Sequence, residues 1–241
     1  MAAHYRGTEA VTDNQQGDLA WFTARYGKVT MSSGINTLMH GGAVAKNTLL
    51  RGVRDAATHT PDKILELYQQ SKSLAMRSAA LAWGHDTEGK AVSYYELTRH
   101  VKVVRPGFVV HPKYRWCGGS PDFLESSSEE GPRLVYVGEI KCPVTPEIHL
   151  QYLKYRVLVT EHYNQIQGNI AITNSDAGKF LSFDPRQKLE SDILSVVNVP
   201  LDHVWQEKFA QAAQEFDTHL RNGTNYENQF TKAVDGLPSM F

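Results

Sequence analysis

The sequence predicts an α/β or α+β fold in which a mixed β-sheet is flanked by helices. Helical patterns fill most of the first hundred residues, strand-like alternation and valine runs follow, and helical patterns then return. The composition, with 41% hydrophobic and 21% charged residues, is that of a globular protein with a sizeable core. No internal repeat or convincing linker divides the 241 residues. We therefore expect a single domain over 1–241, with a loose arm at 1–16 and a tail at 222–241.

The helices are predicted from apolar spacing and from capping residues. Asp18 is the expected N-cap of a short helix at 17–26, and Ser32 and Ser33 are expected to begin the next one. The remaining helices are predicted at 43–57, 62–70, 72–100 (where Gly84 could break the pattern), 147–170 and 201–221.

The strands are predicted from alternation and from β-branched residues. The valine-rich segment 101–111 predicts strands around a turn at Pro106-Gly107. Further strands are predicted at 114–117, 134–140, 178–184 and 193–199. The polar segment ESSSEEGP, residues 125–132, predicts an exposed hairpin loop.

Apolar-run length, cysteine count and net charge argue against several classes of protein. The sequence has no 18-residue apolar run and no signal-peptide pattern at its N-terminus, so we expect a cytoplasmic protein. Its two cysteines can supply neither a disulfide framework nor the four thiolates of an iron–sulfur cluster. A net charge of −1 gives no support to nonspecific DNA binding over the whole surface. The acid-free segment 99–115 is either a solvated face or part of a basic channel.

Two short segments carry the residues that indicate chemistry: GGSPDFL (118–124) and VGEIKCP (137–143). In a strand, Glu139 and Lys141 project from one face, and Asp122 is expected across a hairpin from them. Two carboxylates that close repel each other unless a cation lies between them, and oxygen ligands favour Mg²⁺ or Mn²⁺. A lysine beside such a cation can orient water or offset developing charge, which suits phosphodiester hydrolysis. Glu-x-Lys by itself is more often a surface ion pair on an exposed strand.

Several motifs in a fixed order strengthen this interpretation. They are GDLAWFTARYGKVTMSS (17–33), LAWGHDTEGKA (81–91), GGSPDFL (118–124), GEIKCP (138–143), YNQIQ (163–167) and FDPRQK (183–188). Together they resemble the lambda-exonuclease-like, YqaJ viral recombinase family of PD-(D/E)xK nucleases. The resemblance covers roughly residues 17–190 and implies a restriction-endonuclease-like mixed sheet flanked by helices.

The resemblance also implies roles for individual residues. Asp122 and Glu139 match metal-binding carboxylates, with the backbone carbonyl of Ile140 as a further ligand, and Lys141 matches the catalytic lysine. The other matched positions are Glu88 near a second metal ion, Gln165 near the scissile phosphate, and Arg25, Ser32 and Ser120 around a 5′-phosphate.

The residues leave simpler explanations open for some of these positions. Arg25 could interact only with carbonyls at a helix end, and Ser32 could be only an N-cap. Gln165 and Gln167 cannot both face one site from a helix, and Gln165 is preferred. The tryptophans are expected to pack and not to stack on bases.

The function implied by the resemblance is digestion of linear double-stranded DNA by a Mg²⁺-dependent 5′→3′ exonuclease. It further implies two metal ions per site with Mn²⁺ as a possible substitute, a ring-shaped homotrimer, and a single-strand annealing protein as partner, in a phage or prophage context. Two alternatives stay open: an endonuclease or repair nuclease with the same chemistry, and a DNA-end-binding protein without catalysis.

This chain also departs from the family pattern. Phe123 stands where the family has glycine, so we expect an altered turn or an aromatic side chain near DNA. The loop after Asp122 is long and acidic, and Glu125, Glu129 and Glu130 are expected to face outward, since they would otherwise repel DNA. The choice between Ser32 and Ser33 as the phosphate ligand stays open.

Overall fold

A computed structural model describes residues 10–11, 16–75, 78–127 and 134–227. Eight helices lie in this part of the chain: α1 (Leu19–Arg25), α2 (Ile35–His40), α3 (Ala43–Ala56), α4 (Pro61–Ala75), α5 (Ala79–Arg99), α6 (Pro146–Tyr155), α7 (Thr160–Thr173) and α8 (His203–Asn222). Nine strands accompany them: β1 (Ala10–Val11), β2 (Val29–Thr30), β3 (Val103–Val104), β4 (Phe108–Val110), β5 (Cys117–Gly119), β6 (Phe123–Ser126), β7 (Val135–Lys141), β8 (Ala177–Phe183) and β9 (Leu194–Pro200).

The strands form two mixed sheets, which confirms the predicted mixture of helices and sheet. The larger sheet has the order β3-β6-β7-β8-β9, and the smaller one has the order β1-β4-β5-β2. In the larger sheet, β6 and β7 are an antiparallel hairpin, whereas β7 and β8 are parallel and are connected through α6 and α7. Strand β7 is therefore the centre of the larger sheet, with a hydrogen-bonded neighbour on each side.

Helices cover both faces of the larger sheet. Ile166 and Ile170 of α7 pack with Val137 and Phe180 on one face. On the other face, Tyr95 of α5 lies in a second cluster, which also contains Phe123, Ile140 and Leu181. A third cluster joins α2, α3 and α8 to the smaller sheet and includes Ile172 of α7. Helix α7 is thus packed between the two sheets, and the face of β7 toward it is the one that carries the odd-numbered residues of the strand.

Several predicted elements have different bounds. The helix expected at 147–170 is two helices, because Arg156 has a φ of 51° and ends α6 in a left-handed conformation, and α7 begins only at Thr160. Gly84 does not break α5. Asp18 is confirmed as the N-cap of α1, since its side chain accepts from the backbone N–H of Trp21.

The region before the hairpin differs most from the prediction. Strands β3 and β4 belong to different sheets, so the segment around Pro106-Gly107 crosses from one sheet to the other. The strand expected at 114–117 lies at Cys117–Gly119, and β6 was missed because its residues were assigned partly to the polar loop. The predicted arm at 1–16, apart from β1 and Gln16, falls outside the described residues, as does the predicted tail from residue 228 onward.

Two side chains of β6 also contradict the expectations. Phe123 is fully buried, and a Cβ at its strand partner Gly138 would overlap the Phe123 ring. The phenyl group therefore fills space that glycine leaves in β7, and the expectation of an aromatic near DNA is wrong. Glu125 is buried and not outward-facing, because it pairs with Lys179 and Tyr95. Glu129 and Glu130 lie outside the described residues.

Candidate active site

The turn before β6 places Asp122 beside the middle of β7. The backbone N–H of Asp122 donates to the carbonyl of Gly138 at 3.0 Å. Oδ2 of Asp122 accepts from the backbone N–H of Ile140 at 2.6 Å. Asp122 therefore stands at the start of β6, not at the end of the strand expected at 114–117, yet it reaches β7 across the hairpin as predicted.

Glu139 and Lys141 project from the α7 face of β7, as their spacing of two predicted. Nζ of Lys141 donates to Oε1 of Glu139 at 2.7 Å. The amide of Asn169 on α7 donates to the other oxygen of Glu139 at 3.4 Å. The Glu139 side chain is 4% exposed and that of Lys141 is 33% exposed, so the carboxylate is enclosed and the ammonium reaches the opening.

The pKa values of the two buried carboxyl groups in this cluster are raised. Burial, then the charges of Glu139 and Glu88, raise the pKa of Asp122 well above its ordinary value. Burial raises the pKa of Glu139 as well, although hydrogen bonding to Lys141 and Gln165 acts in the opposite direction. Burial alone would lower the pKa of Lys141, but the attraction of Glu139 outweighs it and raises that pKa. The acids exceed the bases here, so a bound cation would relieve their repulsion.

Helix α7 separates its two glutamines as helix geometry requires. Gln165 lines the cavity beside Glu139. Gln167 lies elsewhere, where its amide donates to the carbonyl of Pro200 and accepts from the N–H of Asp202. The structure thus brings Gln165 and not Gln167 to the carboxylates.

Glu88 reaches the same cavity from α5. Its carboxylate forms an ion pair with Arg105, in the segment that connects the two sheets. The position of Arg105 could not be assigned from the sequence, where it is one of several basic residues between 99 and 115.

Helix α1 contributes Trp21 and Arg25 to the walls of the same cavity. The guanidinium of Arg25 lies over the indole of Trp21, 4.4 Å from the ring centroid. The indole N–H of Trp21 donates to Oγ of Ser120 at 2.8 Å. Trp21 therefore holds both Arg25 and Ser120 in place, a role that sequence reasoning missed when it assigned this residue to packing. The sequence signal for this role was that Trp21 and Arg25 are four residues apart on a predicted helix, so that their side chains are neighbours on one face.

The start of α2 corrects the expectation for Ser32. The helix begins at Ile35 with Gly34 as its N-cap, so neither Ser32 nor Ser33 caps it. The backbone N–H groups of Ser33 and Gly34 both donate to the carbonyl of Thr30 and offer no free anion site. Oγ of Ser33 is 2.6 Å from the hydroxyl of Thr30, whereas Ser32 lines the cavity. The geometry favours Ser32 through its side chain alone.

All predicted site residues line one cavity of about 280 Å³. Its walls contain Gln16, Trp21, Arg25, Thr30, Ser32, Glu88, Phe108, Ser120, Asp122, Glu139, Ile140, Lys141 and Gln165. Gln16, Thr30 and Phe108 were not predicted, and nothing in the sequence marks them. A larger cavity of about 400 Å³ lies between α7 and α8, and no carboxylate lines it.

The donor set of the smaller cavity fits a hard divalent ion. Within the ranges that the structure describes, no three His, Cys, Asp or Glu side chains are grouped to hold a metal. Asp122 and Glu139 supply two carboxylates, and Mg²⁺ commonly uses no more than that, with water and phosphate as further ligands. The N–H and C=O of a strand residue point the same way, so the carbonyl of Ile140 is directed to the side of Asp122.

Comparisons with known proteins show a family and a similar fold. The family model of the YqaJ-like viral recombinase domain matches residues 20–176. The alkaline exonuclease LHK-Exo from Laribacter hongkongensis has a similar fold, with a TM-score of 0.65 and 23% identity over 89% of this chain and 96% of that one. Its complex with dAMP matches with a TM-score of 0.64, 23% identity and the same coverage. A search of curated proteins found no significant match.

No helix among the described residues is long and apolar enough to cross a membrane. The family model covers well over half of the chain. The chain belongs to the family of YqaJ-like viral recombinase domains.

Proposed function

We propose that the protein is a Mg²⁺-dependent 5′→3′ exonuclease that digests one strand of linear double-stranded DNA from a 5′-phosphorylated end and leaves a 3′ single strand. The observation that carries this proposal is the shared cavity. Acids and a lysine suited to phosphodiester hydrolysis line this cavity together with an arginine and two serines suited to a phosphate.

The Arg25 end of the cavity is the proposed site for the terminal phosphate. A guanidinium offers several donors in a planar fork that matches phosphate oxygens. Arg25 is kept in place by the indole of Trp21, and burial lowers the pKa of Arg25. An anion at this position would compensate for the desolvation of the guanidinium. Ser32 and Ser120 supply hydroxyl groups beside it. Such a site recognises an end of the strand and no base sequence.

The acidic end is the proposed metal site. Asp122, Glu139 and the carbonyl of Ile140 would hold one ion, and Glu88 would serve a second; Mn²⁺ could replace Mg²⁺. When bound, the metal polarises the scissile phosphate and offsets negative charge. Metal binding and hydrolysis by these residues need no contact with the DNA bases, as expected of a nuclease that cuts DNA of any sequence.

Lys141 and Gln165 are the proposed catalytic groups of the chain itself. The raised pKa keeps Lys141 charged, so its ammonium can donate hydrogen bonds to negative charge that develops on the phosphate. The amide of Gln165, beside Glu139, orients the reacting phosphate or the attacking water.

A homotrimer, a single-strand annealing protein as partner, and action in the cytoplasm of a phage-infected or lysogenic bacterium belong to the same proposal. A ring of three copies would allow a basic lumen despite a net charge of −1. Apolar side chains exposed on α6 and just after it supply a surface for protein contacts: Ile148, Leu150, Tyr155, Val157 and Val159.

The test is digestion of linear duplexes with Mg²⁺, comparing 5′-phosphate with 5′-hydroxyl ends and including closed circles. We expect loss of nucleotides from the 5′-phosphorylated strand, intact circles, and no activity in Asp122→Ala. Arg25→Gln is the matched variant for the other end of the cavity and should abolish the preference for phosphorylated ends.

Each alternative gives a different result in the same assay. Cutting of closed circles would identify an endonuclease. Binding of DNA ends without cleavage by folded protein under any divalent ion would identify an end-binding protein.

A further inference from the structure

The motif FDPRQK (183–188) has no role in the chemistry described above, yet its arginine is held by an unusual number of contacts. Nε and one terminal nitrogen of Arg186 donate to the two oxygens of Asp184, at 2.7 and 3.0 Å. Asp184 is fully buried at the end of β8, and the amide of Gln187 and the backbone N–H of Arg186 also donate to it. Burial acts to raise the pKa of Asp184, but these bonds outweigh it and lower that pKa. The carboxylate is ionised and fixes the plane of the guanidinium.

The same guanidinium holds the chain immediately after Lys141. Its two terminal nitrogens donate to the carbonyls of Val144 at 3.0 Å and Pro143 at 3.1 Å. Strand β7 pairs with β8 up to Lys141, opposite Ser182. Pro143 has no N–H and cannot extend that ladder. The backbone pairing of β7 with β8 thus ends at Lys141, and two residues later the side chain of Arg186 supplies the hydrogen bonds that hold the chain.

The third contact of Arg186 is with helix α5. Its guanidinium carbon lies 4.4 Å from the ring centroid of Trp83. The indole N–H of Trp83 is buried and finds no acceptor among the described residues, so the ring is held by its face and not by a hydrogen bond. Glu88 follows five residues later on the same rigid helix and enters the acidic end of the cavity.

We propose that Arg186 is a positioning residue that sets the end of β7, with Lys141, against α5, with Glu88, and so fixes the spacing of the metal-binding acids. The inference rests on the proposed function, because it requires that Asp122, Glu139 and Glu88 bind a divalent ion. Arg186 itself is not among the residues that line the cavity.

A second arginine of the same construction serves as the control. Arg54 on α3 donates to the carbonyls of His219 at 2.8 Å and Thr224 at 2.6 Å, and to the side chain of Asn225 at 3.1 Å. It thus joins α3 to the chain at the C-terminal end of α8, two segments where Arg186 joins three, and it does not line the cavity.

The experiment compares Arg186→Lys with Arg54→Lys. Lysine keeps the charge but cannot contact the carboxylate, two carbonyls and a ring face in one plane. Three quantities are measured: the thermal midpoint without metal, the dissociation constant for Mn²⁺ by calorimetry without DNA, and kcat and KM for end-phosphorylated duplex.

We expect both variants to lose a similar part of their thermal stability. Only Arg186→Lys should weaken Mn²⁺ binding, by about 10-fold or more, and lower kcat with little change in KM, since groups that orient metal ligands typically contribute 10- to 100-fold. Trp83→Leu, which leaves the carbonyl bonds of Arg186 in place, should weaken Mn²⁺ binding in the same direction and thereby identify α5 as the moved element.

The outcomes separate the two proposals. Wild-type Mn²⁺ affinity in folded Arg186→Lys, or equal loss of affinity in Arg54→Lys, would overturn the positioning role while the nuclease proposal stands. If the wild-type protein binds Mn²⁺ but cuts no DNA, the nuclease proposal fails, and the affinities still decide the role of Arg186. A wild-type protein that binds no divalent ion would overturn both.

Discussion

The two faces of the larger sheet each carry a glutamate–lysine pair. The two pairs have the same chemistry but differ in their exposure and in the residues around them. On the α7 face, Lys141 and Glu139 are joined at 2.7 Å, with side chains 33% and 4% exposed. On the α5 face, Lys179 and Glu125 are joined at 2.6 Å, with side chains 15% and 6% exposed. One pair opens into a cavity, whereas the other is closed beneath a helix.

The closed pair is fully satisfied by its neighbours. The hydroxyl of Tyr95 donates to Oε2 of Glu125 at 2.6 Å, and Nζ of Lys179 lies 3.0 Å from that hydroxyl and over the ring of Tyr136. One negative charge thus meets one positive charge, and each has further partners. Such an arrangement stabilises its own geometry and has no capacity for a ligand.

The open pair is surrounded by additional acids. Asp122 and Glu88 lie on the same cavity as Glu139, and burial together with the charges of Glu139 and Glu88 raises the pKa of Asp122. Glutamate and lysine residues therefore do not indicate function by themselves. An excess of acid beside an opening does, because a cation from solution can relieve it.

The largest expected difference between the pairs is in catalysis. Lys141→Met should lower kcat for DNA digestion by about 10²–10³-fold, since it removes a donor aimed at developing charge. Lys179→Met should leave kcat of the folded fraction within a factor of about two. Single-turnover digestion, normalised to folded protein by circular dichroism, makes this comparison; equal losses in the two variants would show that Lys141 has only a structural role.

The loss of folding stability should be larger for the closed pair than for the open pair. Lys179→Met leaves Glu125 buried and uncompensated, which typically costs about 3–5 kcal/mol in the free energy of unfolding. Lys141→Met should cost clearly less, because Lys141 is partly exposed and Glu139 can take up a proton. Urea titrations of the metal-free proteins measure both values, and Lys179→Met with wild-type stability would mean that the closed pair contributes nothing.

The raised pKa values predict how the stability of the metal-free protein depends on pH. The folded pKa values of Asp122 and Glu139 exceed their unfolded values near about 4, so the folded state holds more protons between the two. The stabilisation that these two groups contribute is therefore fully present below the unfolded values and is lost as the pH rises through the folded ones. Asp122→Asn should flatten this fall and raise stability at neutral pH by about 1–3 kcal/mol.

Thermal unfolding between pH 4 and 8 in EDTA tests this prediction. Added Mn²⁺ should stabilise the wild-type protein most at the upper end of this range and should have little effect on Asp122→Asn. An advantage of Asp122→Asn over the wild-type protein that does not grow from pH 4 to pH 8 would contradict the assigned direction of the Asp122 pKa.

The predictable part of the molecule is the part determined by local chemistry. The shared face of Glu139 and Lys141, the N-cap at Asp18 and the separation of Gln165 from Gln167 follow from strand alternation, capping preference and helix periodicity, and the structure has each of them. The roles of Arg25, Ser120 and Glu88 came from the family resemblance, and the structure only places these residues on the cavity.

The missed part depends on contacts between distant segments. Glu125 was expected in solvent because its sequence neighbours are polar, and nothing local reveals Lys179 some fifty residues away. Phe123 could be understood only from Gly138 across the hairpin. Strands β3 and β4 were joined because their sequences alternate alike, although strand pairing assigns them to different sheets.

The smallest expected effect concerns Arg105, the partner of Glu88. This pair is more exposed than the others, so Arg105→Gln should change the free energy of unfolding by less than about 1 kcal/mol. Arg105 also neutralises an acid that would otherwise attract the metal, and its loss should tighten Mn²⁺ binding by a few-fold. Calorimetry at two salt concentrations measures this, with the larger gain expected at low salt because screening weakens exposed charges. Weaker Mn²⁺ binding in Arg105→Gln would mean that Arg105 holds Glu88 in the geometry that the metal needs. In that case the position of Glu88 would matter more for metal affinity than the excess of acidic groups around Glu139.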